Sequence, residues 1–137
     1  MRDYVDSSVY LRVLLGQPGA FTLAFENACT SAITRTEARR LLYRLRSKDK
    51  LDDPALATKL SALDAMLSRV EIIPCDAAII ERAAGTIAAP LGALDAIHLA
   101  SALRARESHA AIRVVTHNIE LAIAARAEKL EVVTAPR

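Results

Sequence analysis

The chain has 137 residues, 53% of them hydrophobic, 25% charged and 4% aromatic with no Trp, which excludes disordered and fibrous classes and predicts one domain over residues 1–137. Eighteen Lys and Arg against sixteen Asp and Glu leave a net charge of +2, too balanced to mark a nucleic-acid binder by charge alone. Charged residues such as Arg12, Glu26, Glu81 and Asp95 break every apolar run short of a membrane span, and Asp3 and Asp6 stand where a signal peptide needs an apolar stretch; a cytoplasmic protein with no membrane association is expected. Cys29 and Cys75 lack metal-type spacing and read as buried, reduced thiols.

In chain order, Tyr4-Val5 is a brief apolar strand, and Ser7 opens a helix that stops at Gly16. Gln17-Pro18-Gly19 is a turn, 20–28 a second short helix, and 29–33 a strand. A helix over 34–47 starts on a capping box, Thr34-Arg35-Thr36-Glu37, in which Glu37 reaches back to the Thr34 amide. Residues 48–52 form a charged link. Asp53-Pro54 caps a helix to about 69, with Leu56, Leu60, Leu63 and Leu67 on one stripe. A strand over 70–73 ends at Pro74, Asp76 caps a helix to about 84, and 89–92 is a loop. A helix over 94–106, a strand over 112–115, a helix over 118–129 and a strand over 131–133 complete the chain.

Strands alternating with helices predict an α/β fold: a three-layer sandwich with a central, mostly parallel sheet of about five short strands and helices on both faces. Ligands of such sheets sit beyond the carboxyl ends of the strands. Asp6, Glu37 and Asn118 fall just after strands, and Asp95 opens a helix near the fourth.

Four segments carry a resemblance. Val5-Asp6-Ser7-Ser8 looks like the Asp-x-Ser opening of the PIN-domain nucleases, and Ser31–Glu37 resembles their second acidic motif. Leu94-Asp95-Ala96-Ile97-His98-Leu99-Ala100 is similar to the Asp-Ala-x-His-x-Ala stretch of the VapC-type toxins. Val115-Thr116-His117-Asn118 matches the fourth motif, with Asn118 where the family usually has Asp. The motifs occur in the family's order across nearly the whole chain.

The resemblance implies a metal-dependent endoribonuclease, the toxin of a toxin–antitoxin pair. Its substrate would be a structured RNA such as a tRNA or rRNA loop, and its partners a cognate antitoxin and a second copy in a homodimer. Phosphodiester hydrolysis needs an activated water and relief of charge on phosphate, which Mg²⁺ or Mn²⁺ supplies. Hard ions want oxygen ligands. Asp6 and Asp95 are then the metal ligands, while Glu37 contacts metal or orients water. Ser8 and Thr116 support the carboxylates, and Asn118 ligates through its amide oxygen or bonds a bound water. Asp6, Glu37, Asp95 and Asn118 also stand at expected helix starts, where capping is the simpler use of each alone. Arg35, Arg39 and Arg40 are candidate RNA contacts on a helix face that could equally be solvated.

Three histidines take lesser parts: His98, one turn from Asp95, orients it or merely packs, His117 is a loop residue, and His109 lies on the surface. The leucine stripe can pack into the core or line a partner groove. Two other readings stay open: a weakened PIN domain that binds RNA or a partner without cutting, and a receiver-type module. The second lacks an acid directly after its third strand and a Lys after its last.

Overall fold

Strand β1 (Arg2–Val5) lies at the centre of the sheet, and its alternation sends Tyr4 to one face and Val5 to the other, both buried. The structure, a computed structural model, describes residues 1–22, 24–85 and 90–135. β2 (Ala28–Ser31) and β4 (Ile112–Val115) flank β1, while β3 (Glu71–Ile73) and β5 (Glu131–Val133) form the edges. The strand order is β3-β2-β1-β4-β5, with Tyr4 opposite Cys29 and Val114. All four pairings are parallel, so the sheet expected to be mostly parallel is wholly so.

Parallel neighbours need crossovers, and among the described residues six helices supply them. They are α1 (Ser7–Leu14), α2 (Ile33–Ser47), α3 (Asp53–Leu67), α4 (Ala77–Ala83), α5 (Ala93–Ser108) and α6 (Ile119–Ala127). Tyr4, Cys29 and Val114 pack with Leu99 and Ala102 of α5 and Leu121 and Ala125 of α6. Their sequence neighbours Val5, Ala28 and Val115 pack with Val9 and Tyr10 of α1, Ala38 of α2 and Leu63 of α3. Each of the three central strands thus feeds two cores, giving three layers. α4 packs on α5 at the outside. No helix among the described residues is long and apolar enough to cross a membrane.

The leucine stripe of α3 serves the core: Leu63 is fully buried and Leu67 nearly so, while Leu56 and Leu60 are half-buried. Several local expectations are corrected. The helix expected over 20–28 is a single 3₁₀ turn, Phe25–Asn27. Phe21 and Phe25 anchor that segment by packing against the core separately, and a helix so short has little stability of its own. α3 is capped by Asp52 rather than Asp53. The capping box at α2 does not form: Ala32 is the cap residue without a side-chain bond, and Thr34 Oγ1 pairs with Thr30 Oγ1 at 2.7 Å. Tertiary partners displace a local bond that contributes only about 1 kcal/mol. Cys29 is buried as expected, but Cys75 is half-exposed. His109 is half-buried too, and its ring faces Glu71 at 3.4 Å. The loop expected over 89–92 lies partly outside the described residues.

Candidate active site

The strand order reverses between β1 and β4, and the crevice beyond their carboxyl ends is where such sheets place ligands. Asp6 directly follows β1, and Thr116, His117 and Asn118 directly follow β4.

Asp6 is only 2% exposed. Its extended backbone caps α1, yet its side chain makes no capping bond. Instead Ser8 Oγ donates to Asp6 Oδ1 at 2.6 Å, and the buried Thr116 hydroxyl is near enough to favour the ionised carboxylate. Backbone geometry fixes both hydroxyls: Ser8 Oγ accepts from the His117 amide at 3.0 Å and Thr116 Oγ1 from the Asn118 amide at 2.9 Å. Each has one proton left, and that of Ser8 goes to Asp6. Burial pushes the Asp6 carboxyl above its usual range, His98 and the two hydroxyls pull it down, and Glu37 pushes it further up.

Asp95 lies in the first turn of α5, where Gly92 is the cap residue. Asn118 Nδ2 donates to Asp95 Oδ2 at 3.0 Å, while Asn118 Oδ1 accepts from the Leu121 amide at 3.2 Å. The cap fixes the amide orientation, so the nitrogen faces the acid. In this arrangement the Asn118 nitrogen holds Asp95 while its oxygen caps α6. Of the four polar candidates at helix starts, Asn118 alone caps a helix with its side chain.

Glu37 is drawn inward by His98, a residue to which the sequence gives only a minor part. His98 Nε2 lies 2.5 Å from Glu37 Oε1, and His98 Nδ1 lies 2.7 Å from the Tyr4 hydroxyl. Tyr4 is buried, and burial first, then Asp6, raises its pKa well above the usual value; it remains a neutral phenol. A hydroxyl that donates to Nδ1 leaves the imidazole proton on Nε2, from which it is donated to Glu37. His98 thus orients Glu37, not Asp95. The available signal was composition: a His among Ala96, Leu99, Ala100 and Ala102 is buried, and a buried imidazole needs partners at both nitrogens. His117 turns its ring towards Phe21, with centroids 4.8 Å apart, and burial lowers its pKa.

Hydrogen bonds thus hold Asp6 through Ser8, Asp95 through Asn118, and Glu37 through His98 to Tyr4. The candidate arginines separate. Arg35 and Arg39 face Asp64 of α3 at 3.4 and 4.0 Å, and Arg39 also donates to Tyr43. Arg40 instead lines a groove with Glu37.

Among the described residues no three His, Cys, Asp or Glu side chains converge closely enough to hold a metal ion. The donor set still fits a hard divalent cation, which takes one or two carboxylates and fills its sphere with water and phosphate. Asp6 is a desolvated carboxyl, and neither it nor Asp95 is in an ion pair with Lys or Arg among the described residues. Asp6 and Asp95 would hold the ion.

A family model, that of the PIN domain, matches residues 4–127. A search of curated proteins finds no match. Among solved structures, a toxin-antitoxin complex from Klebsiella pneumoniae contains a similar chain at 20% identity, with a TM-score of 0.58 over 86% of this chain and 88% of that one. At that identity the likeness concerns the fold.

Proposed function

The chain belongs to the PIN-domain family, and from that premise we propose that it is a Mg²⁺- or Mn²⁺-dependent endoribonuclease, the toxin of a toxin–antitoxin pair. PIN domains are generally nucleases, and one observation carries the assignment to this site: Asp6 is buried without a Lys or Arg partner among the described residues and is held by the Ser8 hydroxyl. That arrangement costs folding energy and has no use as a helix cap.

In this reading Asp6 and Asp95 would hold the ion. When bound, the ion lowers the pKa of a water and neutralises charge on the phosphate oxygens. Ser8 and Thr116 keep the Asp6 carboxylate in one orientation. Asn118 does the same for Asp95 and adds no charge, which weakens affinity for a second ion relative to a site with four acids. Glu37, held by His98, orients the attacking water and accepts its proton. The substrate is a structured RNA of the tRNA or rRNA kind. The Klebsiella structure, a toxin-antitoxin complex, supports an antitoxin partner; a homodimer in the cytoplasm completes the proposal.

The test is RNA cleavage by partner-free protein in Mg²⁺, in Mn²⁺ and in EDTA, beside Asp95→Asn. Discrete cuts that require metal and vanish in the variant support the nuclease. Intact RNA in every condition removes the catalytic reading. Asn118 then favours a second one, a PIN domain that binds RNA without cutting, and retained RNA affinity would identify it.

A further inference from the structure

A groove of about 410 Å³ opens beside the acidic crevice, between α1, α2 and the start of α5. One wall is a single stripe of α2: Glu37, Arg40 and Arg44 follow one another at i, i+3 and i+7, and so share a face. The stripe extends about 10 Å along the helix axis. Opposite it stand Leu11 and Leu94, the latter 46% exposed.

The cations of α2 are used in different ways. Arg35 and Arg39 meet Asp64, and Arg46 meets Asp49 and Asp53. Arg40 and Arg44 are exposed, and neither side chain has an acidic or hydrogen-bonding partner among the described residues. Two unmatched guanidinium groups one turn apart, on a wall that ends at the candidate water-orienting acid, suit a chain of regularly spaced anions. Planar, fork-shaped donors are well matched to phosphate. The aliphatic wall opposite gives a base a surface to lie on.

We propose that Arg40 and Arg44 bind successive phosphates of the RNA strand and lay it in this groove, so that it reaches the cleavage site along α2. The inference rests on the nuclease reading and adds the strand's path. It replaces the triplet Arg35, Arg39 and Arg40 with the pair Arg40 and Arg44, because α3 has taken the other two. A helix of an antitoxin is the competing occupant; the two unmatched cations favour the polyanion.

The experiment is RNA binding, kept apart from cutting. A fluorescent single-stranded RNA is titrated with Asp95→Asn protein across a series of NaCl concentrations, and log K is plotted against log salt. Each phosphate contact on a single strand contributes about 0.7 to the slope, so Arg40→Gln with Arg44→Gln should lower it by about 1.4. Arg35→Gln with Arg39→Gln should change it less. All four positions are on the surface of α2, and a thermal melt checks that each variant is folded. A slope that does not move in the Arg40/Arg44 variant overturns the path and leaves the groove to a protein partner. If the wild-type chain still cuts RNA in Mg²⁺, the nuclease stands without this path. If it neither cuts nor binds RNA, both fall together.

Discussion

His98 Nε2 faces Glu37 Oε1 at 2.5 Å although 61 residues separate them in the chain. The ring is 1% exposed, and its other nitrogen is taken by Tyr4. A carboxylate on the second turn of a helix would otherwise swing freely through its rotamers. The imidazole confines it to the side of α2 that faces Asp6, whose carboxyl it already affects through space.

Removing the imidazole should therefore act on the chemical step. His98→Ala should lower the cleavage rate about 10- to 100-fold, as loss of an orienting partner behind a metal site does. It leaves Tyr4 and Glu37 each without a buried partner, at a stability cost of about 1–3 kcal/mol. Tyr4→Phe touches neither acid and removes only the hydroxyl that sets the ring's proton. It should reduce kcat by less than His98→Ala does, with KM almost unchanged. Rates measured well below both melting temperatures separate positioning from unfolding. Wild-type kcat in both variants would reduce His98 to a packed core residue.

Asp6 predicts a pH dependence of stability. Burial holds its folded pKa above the usual 3.8. Below that value folded and unfolded chains are both protonated, and the group exerts no effect. As the pH rises through it, the unfolded chain ionises first, so stability falls until the folded pKa is passed. At neutral pH the ionised Asp6 is thus a destabilising element. Asp6→Asn should raise Tm at pH 7, by roughly 1 kcal/mol in stability, and flatten this acid-side slope. Mn²⁺ should stabilise wild type by about 2.7 kcal/mol at a hundredfold excess over its Kd, and the variant by much less. A variant that melts at or below wild type at pH 7, with the same acid-side slope, would contradict the desolvated carboxyl.

The parts of the fold that were readable from sequence share a cause. β4 and β5 fall where 112–115 and 131–133 predicted, because short β-branched runs between polar residues have few other uses. The helices α3 to α6 likewise match their periodicity to within a few residues. Residues 20–28 read as a helix in the sequence, whereas the described residues there pack Phe21 and Phe25 onto the core with only a 3₁₀ turn between 25 and 27. At the site, the carboxyl ends of β1 and β4 were legible from the motif order, whereas the partners were not. Glu37 was given a local cap, and only the close approach of α2 and α5 shows that it meets His98. The division of the arginines depends on Asp64, which sits on a helix whose packing against α2 no spacing rule encodes.

Asn118 marks the departure from the usual acid, and its two bonds predict what restoring that acid does. Asn118→Asp keeps the cap on the Leu121 amide, since Asp caps as well as Asn. It loses the donor to Asp95 and sets two carboxylates against each other where one hydrogen bond of 3.0 Å stood. The metal-free variant should melt lower than wild type. A divalent ion reverses the repulsion, so Mn²⁺ should bind about tenfold more tightly, a gain of about 1.4 kcal/mol. Calorimetric titration with Mn²⁺ measures it. Unchanged affinity would confine position 118 to capping and leave metal binding to Asp6 and Asp95 alone.

The α3 stripe separates core from surface within one helix face. Leu63 is completely buried against α1, α2 and the sheet, whereas Leu60, one turn away, is half-buried. Leu63→Ala removes a side chain from a closed site that cannot relax fully, so urea unfolding should show a loss of about 3 kcal/mol. Leu60→Ala opens no closed cavity and should lose about 1 kcal/mol, near the centre for ordinary substitutions. Because α3 also carries Asp64, whose carboxylate holds Arg35 and Arg39, loosening it should free those cations. The Leu63→Ala chain, still folded at low temperature, should then show a steeper salt dependence of RNA binding than Leu60→Ala. Equal slopes in the two variants would mean that Asp64 does not govern which arginines of α2 face the strand.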